Sequence, residues 1–218
     1  MLRSTRMELR FLNPYAEVQM HGLGLPHWQQ LGSTFFVTFR LNDSIPADLL
    51  ERWKIERSAW LEAHPKPWDA ATERSYHEQF SRRLDAWLDD GRGSCCLRSA
   101  EIRAEVCSVL RAGAGTRYVP HSWVVMPSHV HVLFSLLGEA RLENEIGAWK
   151  SIAARRINVR LARRGAFWQE DYFDRMIRDA EHFARCVRYI RRNPVKAGLK
   201  EGEFELWESE GALGIDGA

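Results

Sequence analysis

Cysteine is scarce and poorly spaced for a structural role. Four occur, Cys95, Cys96, Cys107 and Cys186. A vicinal pair followed by a ten-residue gap fits no zinc-finger spacing. Four thiols in a chain of 218 residues make no disulfide framework. They are expected to be reduced packing residues. Long apolar runs are also missing. No stretch approaches the roughly 20 residues of a membrane span, so no membrane partner is expected. The opening Met1-Leu2-Arg3-Ser4-Thr5-Arg6 leads into no apolar signal core, and the expected location is the cytoplasm. Internal repeats and low-complexity tracts are absent. The last stretch, 201–218, has no Lys or Arg at all against six acidic residues.

That last absence belongs to a larger asymmetry. The formal net charge is only +2, but residues 141–200 carry 15 Lys and Arg against seven Asp and Glu, while residues 1–140 balance at 16 of each. A basic block of this kind suits a polyanionic partner. A solvated helix surface explains the charge alone equally well.

Periodicity gives the elements. Thr34–Leu41 is rich in β-branched and aromatic residues and is predicted to be a strand. Helices are predicted over about 46–63, 70–90 and 99–112, separated by His64-Pro65-Lys66-Pro67 and Gly91-Arg92-Gly93-Ser94. Residues 118–126 and 129–137 form an antiparallel pair about Pro127-Ser128. A long helix of about 141–164, a short mixed segment over 167–178 and a helix over 179–193 follow. Pro194 disfavours helix at Asn193. Strands broken by helices around a hairpin argue for an α+β or mixed α/β fold. The expected organisation is one domain over 1–218, with a helical insertion at about 46–112.

The chemistry concentrates in two places. In Met126-Pro127-Ser128-His129-Val130-His131-Val132-Leu133-Phe134, strand alternation puts His129 and His131 on one face, about 6–7 Å apart. Val130, Val132 and Phe134 take the other face. Leu133 stands where a histidine-triad nucleotide hydrolase needs a third His. Some sixty residues on, Tyr189 and Asn193 stand four apart on one helix face. Each feature alone is commonplace. Together, two imidazoles and an amide oxygen suit a divalent cation, Mg2+ or Mn2+, with positions left for phosphate oxygens. A phenol beside such an ion is a nucleophile for phosphodiesters. Arg155, Arg156, Arg185, Arg188, Arg191, Arg192 and Lys196 are the candidate DNA-binding residues from the basic block.

Several stretches resemble the single-tyrosine HUH transposases, most closely the REP-associated tyrosine transposases. They are Trp123–His131, Phe167-Trp168-Gln169, Tyr172-Phe173-Asp174 with Ile177-Arg178, and Tyr189-Ile190 with Asn193-Pro194-Val195-Lys196-Ala197-Gly198-Leu199. Pro26-His27-Trp28 followed by Thr34–Leu41 is similar to the opening of the longer members. The resemblance implies a ferredoxin-like fold with an antiparallel sheet. It implies His129, His131 and Asn193 as metal ligands and Tyr189 as nucleophile. The implied reaction cuts single-stranded DNA at imperfect hairpins, leaving a 5′-phosphotyrosine and a free 3′-hydroxyl. The implied location becomes nucleoid-associated, as a monomer or homodimer. Arg175 departs from a frequent His after Tyr-Phe-Asp. Ser128 replaces a frequent Asn, which is read as a turn variation of little consequence. His182 is read as a surface residue. A domesticated hairpin-DNA binder that no longer cuts, or an RNA-binding protein, is the alternative; the intact set of four favours the enzyme.

Overall fold

The computed structural model describes residues 9–13, 15–16, 19–21, 27–65 and 68–215. Along the chain run β1 (Gln19–His21), β2 (His27–Gln29), β3 (Thr34–Arg40) and α1 (Ala47–Ala63). A helical rod follows, made of α2 (Ala70–Tyr76), a π turn (His77–Ser81) and α3 (Arg82–Asp89). Then come α4 (Ala100–Ala112), β4 (Tyr118–Val125), β5 (His129–Leu136), α5 (Leu142–Arg160), β6 (Phe173–Met176), α6 (Ala180–Lys196), β7 (Glu205–Glu208) and α7 (Glu210–Leu213).

Five of these strands form one antiparallel sheet in the order β6-β3-β5-β4-β7. With α4 and α5 as crossovers, β3-α4-β4-β5-α5-β6 is the ferredoxin-like βαββαβ arrangement, as the resemblance implied. The central strand β5 is buried along its whole length, so both faces must be covered. On one face α4 and α5 bury Val106, Leu110, Ile146, Trp149 and Ile157 against Val37, Val130, Val132 and Phe134. On the other, α6 buries Phe183, Val187 and Ile190 against Phe36, Val124 and Leu133. Each such side chain contributes about 1.5–3 kcal/mol. The helices α1 to α3 have a small core of their own around Ile45, Leu50 and Leu88.

Several differences from the sequence reading have physical causes. The insertion is shorter than 46–112 suggests, because α4 packs in the main core and serves as a crossover helix. Of the helices in that span, only α1 to α3 lie outside the βαββαβ core. The helix predicted to stop at Asn193 continues through Pro194 to Lys196. A proline near a helix end forfeits one hydrogen bond, to the Ile190 carbonyl. Downstream bonds, from Ala197 to the Asn193 carbonyl and from Leu199 to the Pro194 carbonyl, hold the last turn. The hairpin β1–β2 and the strand β7 are too short to stand out from sequence. Trp207 of β7 stacks on buried Trp123, with ring centroids 4.1 Å apart and planes 14° from parallel. The cysteines are unpaired, with Cys107 and Cys186 buried, as expected. Of Pro26-His27-Trp28, Pro26 lies outside the described residues, as do the side chains of the other two.

The acidic terminus folds back on the basic block. Arg191 forms a forked pair with Glu208, with Nη2 3.0 Å from Oε1, and donates to the carbonyls of Ala212 and Ile215. Arg98 pairs with Glu203 and Arg111 with Glu205. Glu208 is almost fully buried at 7% side-chain exposure, and Arg191 retains 26%. Removing the guanidinium leaves a buried carboxylate without a counter-charge. Arg191→Ala is therefore expected to lower unfolding free energy by about 2–4 kcal/mol in chemical denaturation. Exposed Arg155→Ala should change it by no more than about 0.5 kcal/mol.

Candidate active site

The site is built on the α6-facing side of the sheet. Register places Thr38 opposite His131 and Arg40 opposite His129 on neighbouring strands, so all four side chains share a face. Both imidazoles are 1% exposed, and their ring centroids are 4.7 Å apart. The Tyr189 ring lies 5.2 Å from His131, edge-on. Phe36 stacks on His131 and meets Tyr189 edge-on. Asn193, one turn after Tyr189, is 1% exposed. Its amide adjoins both His129 and Tyr189.

Each histidine is held by its Nδ1. For His131 the partner is the Thr38 hydroxyl at 2.7 Å. For His129 it is the Ser128 hydroxyl at 3.0 Å. Ser128 donates its single proton to the Leu88 carbonyl at 3.3 Å. His129 Nδ1–H is then the donor to Ser128, and Nε2 keeps its lone pair. Ser128 is thus more than a turn variation: it fixes a tautomer and links the site to α3. Hydroxyl support of this kind orients imidazoles that bind metals. Burial pushes His129 down to about 3, opposed by Asn193, and His131 well below its usual value. Both rings are neutral near pH 7, the form a metal requires.

The polar atoms left over fit a cation. His131 Nε2 and both amide atoms of Asn193 are buried with no hydrogen-bond partner. Unsatisfied buried groups are costly and rare. Among the described residues no cluster of three or more His, Cys, Asp or Glu is placed to hold a metal. The donor set here is two imidazoles and one amide, which leaves room for oxygens from a substrate.

The insertion brings residues that sequence reasoning missed. The Tyr189 hydroxyl and the Asp85 carboxylate on α3 line one cavity and interact. One turn on, Asp89 pairs with Lys196 of α6 at 2.8 Å. Burial pushes the Tyr189 phenol far up, and Asp85 and Asp89 push it further, against Asn193. Burial raises the Asp85 carboxyl to about 6, while Tyr189, Lys196 and Arg175 hold it down and Asp89 adds to the rise. Nothing local marks Asp85 or Asp89, since an i, i+4 acidic pair on a helix is ordinary. Arg40 was legible in principle, because strand alternation from Thr38 puts it beside the histidines. Its Nε is buried without a partner, and burial lowers its pKa to about 10 against Asp171.

Between the sheet and the insertion is a cavity of about 700 Å³ whose wall includes Phe36, Arg40, Trp53, Asp85, Phe173 and Tyr189. Arg175 also borders it. The guanidinium lies over the Phe173 ring, with Nη2 3.0 Å from His77 Nδ1. The residue that departs from the resemblance therefore joins β6 to the insertion rod. His182 is 3% exposed, contrary to the surface reading: its Nδ1 accepts from the Arg178 backbone N–H, which folds it under the helix start.

The candidate DNA-binding residues do not form one surface. Arg185, Arg188, Arg191, Arg192 and Lys196 are on α6, and Arg185 borders the cavity while pairing with Glu181. Arg155 and Arg156 are on α5, whose apolar side covers the other face of the sheet. Arg156 pairs with Glu105 of α4. Arg191 engages all three guanidinium nitrogens in holding the C-terminal segment. Tyr172 packs against the α4–α5 cluster and Tyr189 against the α6 cluster.

Residues 101–193 match the family described as "Transposase IS200 like". No curated protein matches the sequence. A solved structure described as "Structure of the REP associates tyrosine transposase bound to a REP hairpin" is similar at a TM-score of 0.46 and 18% identity. The alignment covers 80% of this chain and 74% of that one. Residues 101–193, the stretch that is similar to the IS200-like transposases, carry both histidines, the tyrosine and the asparagine of the site.

Proposed function

We propose that this protein is a metal-dependent endonuclease and strand transferase of the REP-associated tyrosine transposase kind, acting on single-stranded or hairpin DNA through Tyr189. The observation that carries the reading is the convergence of His129, His131, Asn193 and Tyr189, from two separate elements, in one cluster where His131 Nε2 and both Asn193 amide atoms are buried without hydrogen-bond partners. The family match supports the reaction class, and the sequence resemblance supports the hairpin substrate.

His129, His131 and Asn193 would hold Mg2+ or Mn2+, which supplies Lewis-acid polarisation of a phosphodiester. The remaining chemistry belongs to the chain. Tyr189, ordered by Phe36 and His131, presents its hydroxyl beside the ligand set. Arg40 meets a phosphate oxygen with its free Nε–H. Asn193 links nucleophile and ligand set, because one helical turn fixes their separation. Phosphorus becomes bonded to the tyrosine oxygen and the 3′-oxygen departs. Reversal with another 3′-hydroxyl rejoins the strand.

Tyr189→Phe removes one oxygen from a half-buried ring and keeps the ring contacts with Phe36 and His131. Hairpin binding and fold are expected to survive, while cleavage and the covalent adduct on a denaturing gel with labelled hairpin DNA and Mn2+ vanish. Tyr172→Phe should keep both. An adduct formed by Tyr189→Phe would refute the assignment.

Metal binding is expected in calorimetry with Mn2+ for the wild type and not for the His129→Ala, His131→Ala double variant. Ser128→Ala leaves the ligands in place but frees the His129 ring. Its affinity for Mn2+ should fall about 10-fold or more. Equal binding by all three proteins would count against the site.

The division of the arginines predicts where DNA lies. Arg185→Ala with Lys196→Ala should weaken hairpin binding and flatten its salt dependence by about one or two phosphate contacts, each worth roughly 0.7–0.9 in the log–log slope. Arg155→Ala with Arg156→Ala should leave the slope unchanged in the same filter-binding series. A flatter slope for the α5 pair alone would put the DNA on the other layer.

A further inference from the structure

Asp85 lines the same cavity as Tyr189 and interacts with its hydroxyl, and it arrives from a part of the chain with no place in the βαββαβ core. Its helix α3 is fastened over the site at three points. Asp89 pairs with Lys196, Ser128 donates to the Leu88 carbonyl, and buried Leu88 packs with Ile45 and Leu50. Asp85 stands one turn before Asp89 and three residues before Leu88, so these contacts hold the turn that carries it beside the cavity shared with Tyr189. A phenol needs an acceptor for its proton when it becomes a nucleophile. His129 and His131 do not serve: each uses Nδ1 on a hydroxyl, and the Nε2 side belongs to the ligand set.

We propose that Asp85 is the general base for Tyr189, supplied by the inserted helices; this rests on Tyr189 being the nucleophile. The Tyr189 O–H bond breaks and its proton passes to an Asp85 carboxylate oxygen. The electron pair left on the phenol oxygen forms the new O–P bond. The scissile P–O bond breaks with its pair going to the 3′-oxygen, which takes a proton from water. In rejoining, the incoming 3′-hydroxyl gives its proton to water and attacks phosphorus, and protonated Asp85 returns its proton to the departing tyrosine oxygen. Lys196 and Arg175 lie close enough to favour the ionised carboxylate at the start, and Asp89 and burial oppose them.

The test is single-turnover cleavage of labelled hairpin DNA with Mn2+, alongside hairpin affinity and thermal unfolding. Asp85→Asn keeps the shape and a hydrogen-bond acceptor but takes no proton. Its cleavage rate is expected to fall about 100-fold or more, with hairpin affinity unchanged. Formate added to Asp85→Ala should restore part of the rate, since a small carboxylate can enter the space left. Glu78→Gln, which alters an exposed carboxylate on the same rod paired with Arg82, should cleave as the wild type does. Wild-type cleavage by Asp85→Asn overturns the proposal. Should Asp85→Asn fail to fold, the formate series decides: a rate that rises with formate supports the base, and a flat rate overturns it. If Tyr189→Phe still forms the adduct, the nucleophile assignment falls and this role with it. If Tyr189→Phe is inactive while Asp85→Asn cleaves normally, only the role of Asp85 falls.

Discussion

A strand buried on both faces governs this molecule. Backbone alternation gives β5 two unlike sides, and each side must be satisfied without water. The valines and Phe134 meet a layer of helices that asks only for apolar volume. His129 and His131 face the other way, into a layer where two neutral rings must each find a partner for Nδ1. Thr38 and Ser128 provide those partners. Once the rings are fixed, the position of α6 follows, because Ile190 and Val187 must reach the same sheet face as Leu133. Tyr189 and Asn193 come with that helix. The pocket is therefore a by-product of ordinary core packing around one unusual pair of residues.

Much of this could be read from the residues. The period-two pattern of 129–136 determines which side each histidine takes, and the helix stripe of Phe183, Cys186, Val187 and Ile190 determines which side of α6 is buried. What could not be read is what depends on docking. Asp85 and Asp89 look like any solvated acidic pair until α3 is laid against α6. Ser128 looks like a turn residue until the Leu88 carbonyl arrives beside it. His182 lies in a polar stretch at a helix start and is buried only because its ring folds back to the Arg178 backbone. Pro194 misleads for a different reason: its local preference is real, but the turn around it is held by neighbours.

Charge was the least transferable signal. Counting along the chain makes 141–200 look like one basic face, yet the sheet passes through the middle of that block. Part of it lies over α4, where Glu105 answers Arg156 and Arg160. Part lies on α6, where Glu208 from the acidic terminus holds Arg191. The segment with no positive residue thus neutralises some of the segment with the most. What remains is a smaller cationic surface beside the cavity, with Arg40 and Arg175 contributing from strands that a window over the basic block either misses or counts without knowing their direction.

The π turn at 77–81 gives the insertion a property that a regular helix lacks. Arg82 donates to the His77 carbonyl, five residues back, so one extra residue is wound into the rod. An added residue rotates everything after it by about 100° relative to what precedes it. The half before the turn carries Tyr76 toward the aromatic group of Trp60 and Trp68. The half after it carries Asp85 toward Tyr189. A rod without the added residue could aim only one of these correctly. The irregularity works as a coupling between two bearings, one that seats the insertion and one that reaches the reacting hydroxyl, and its handedness and size are set by a single amino acid.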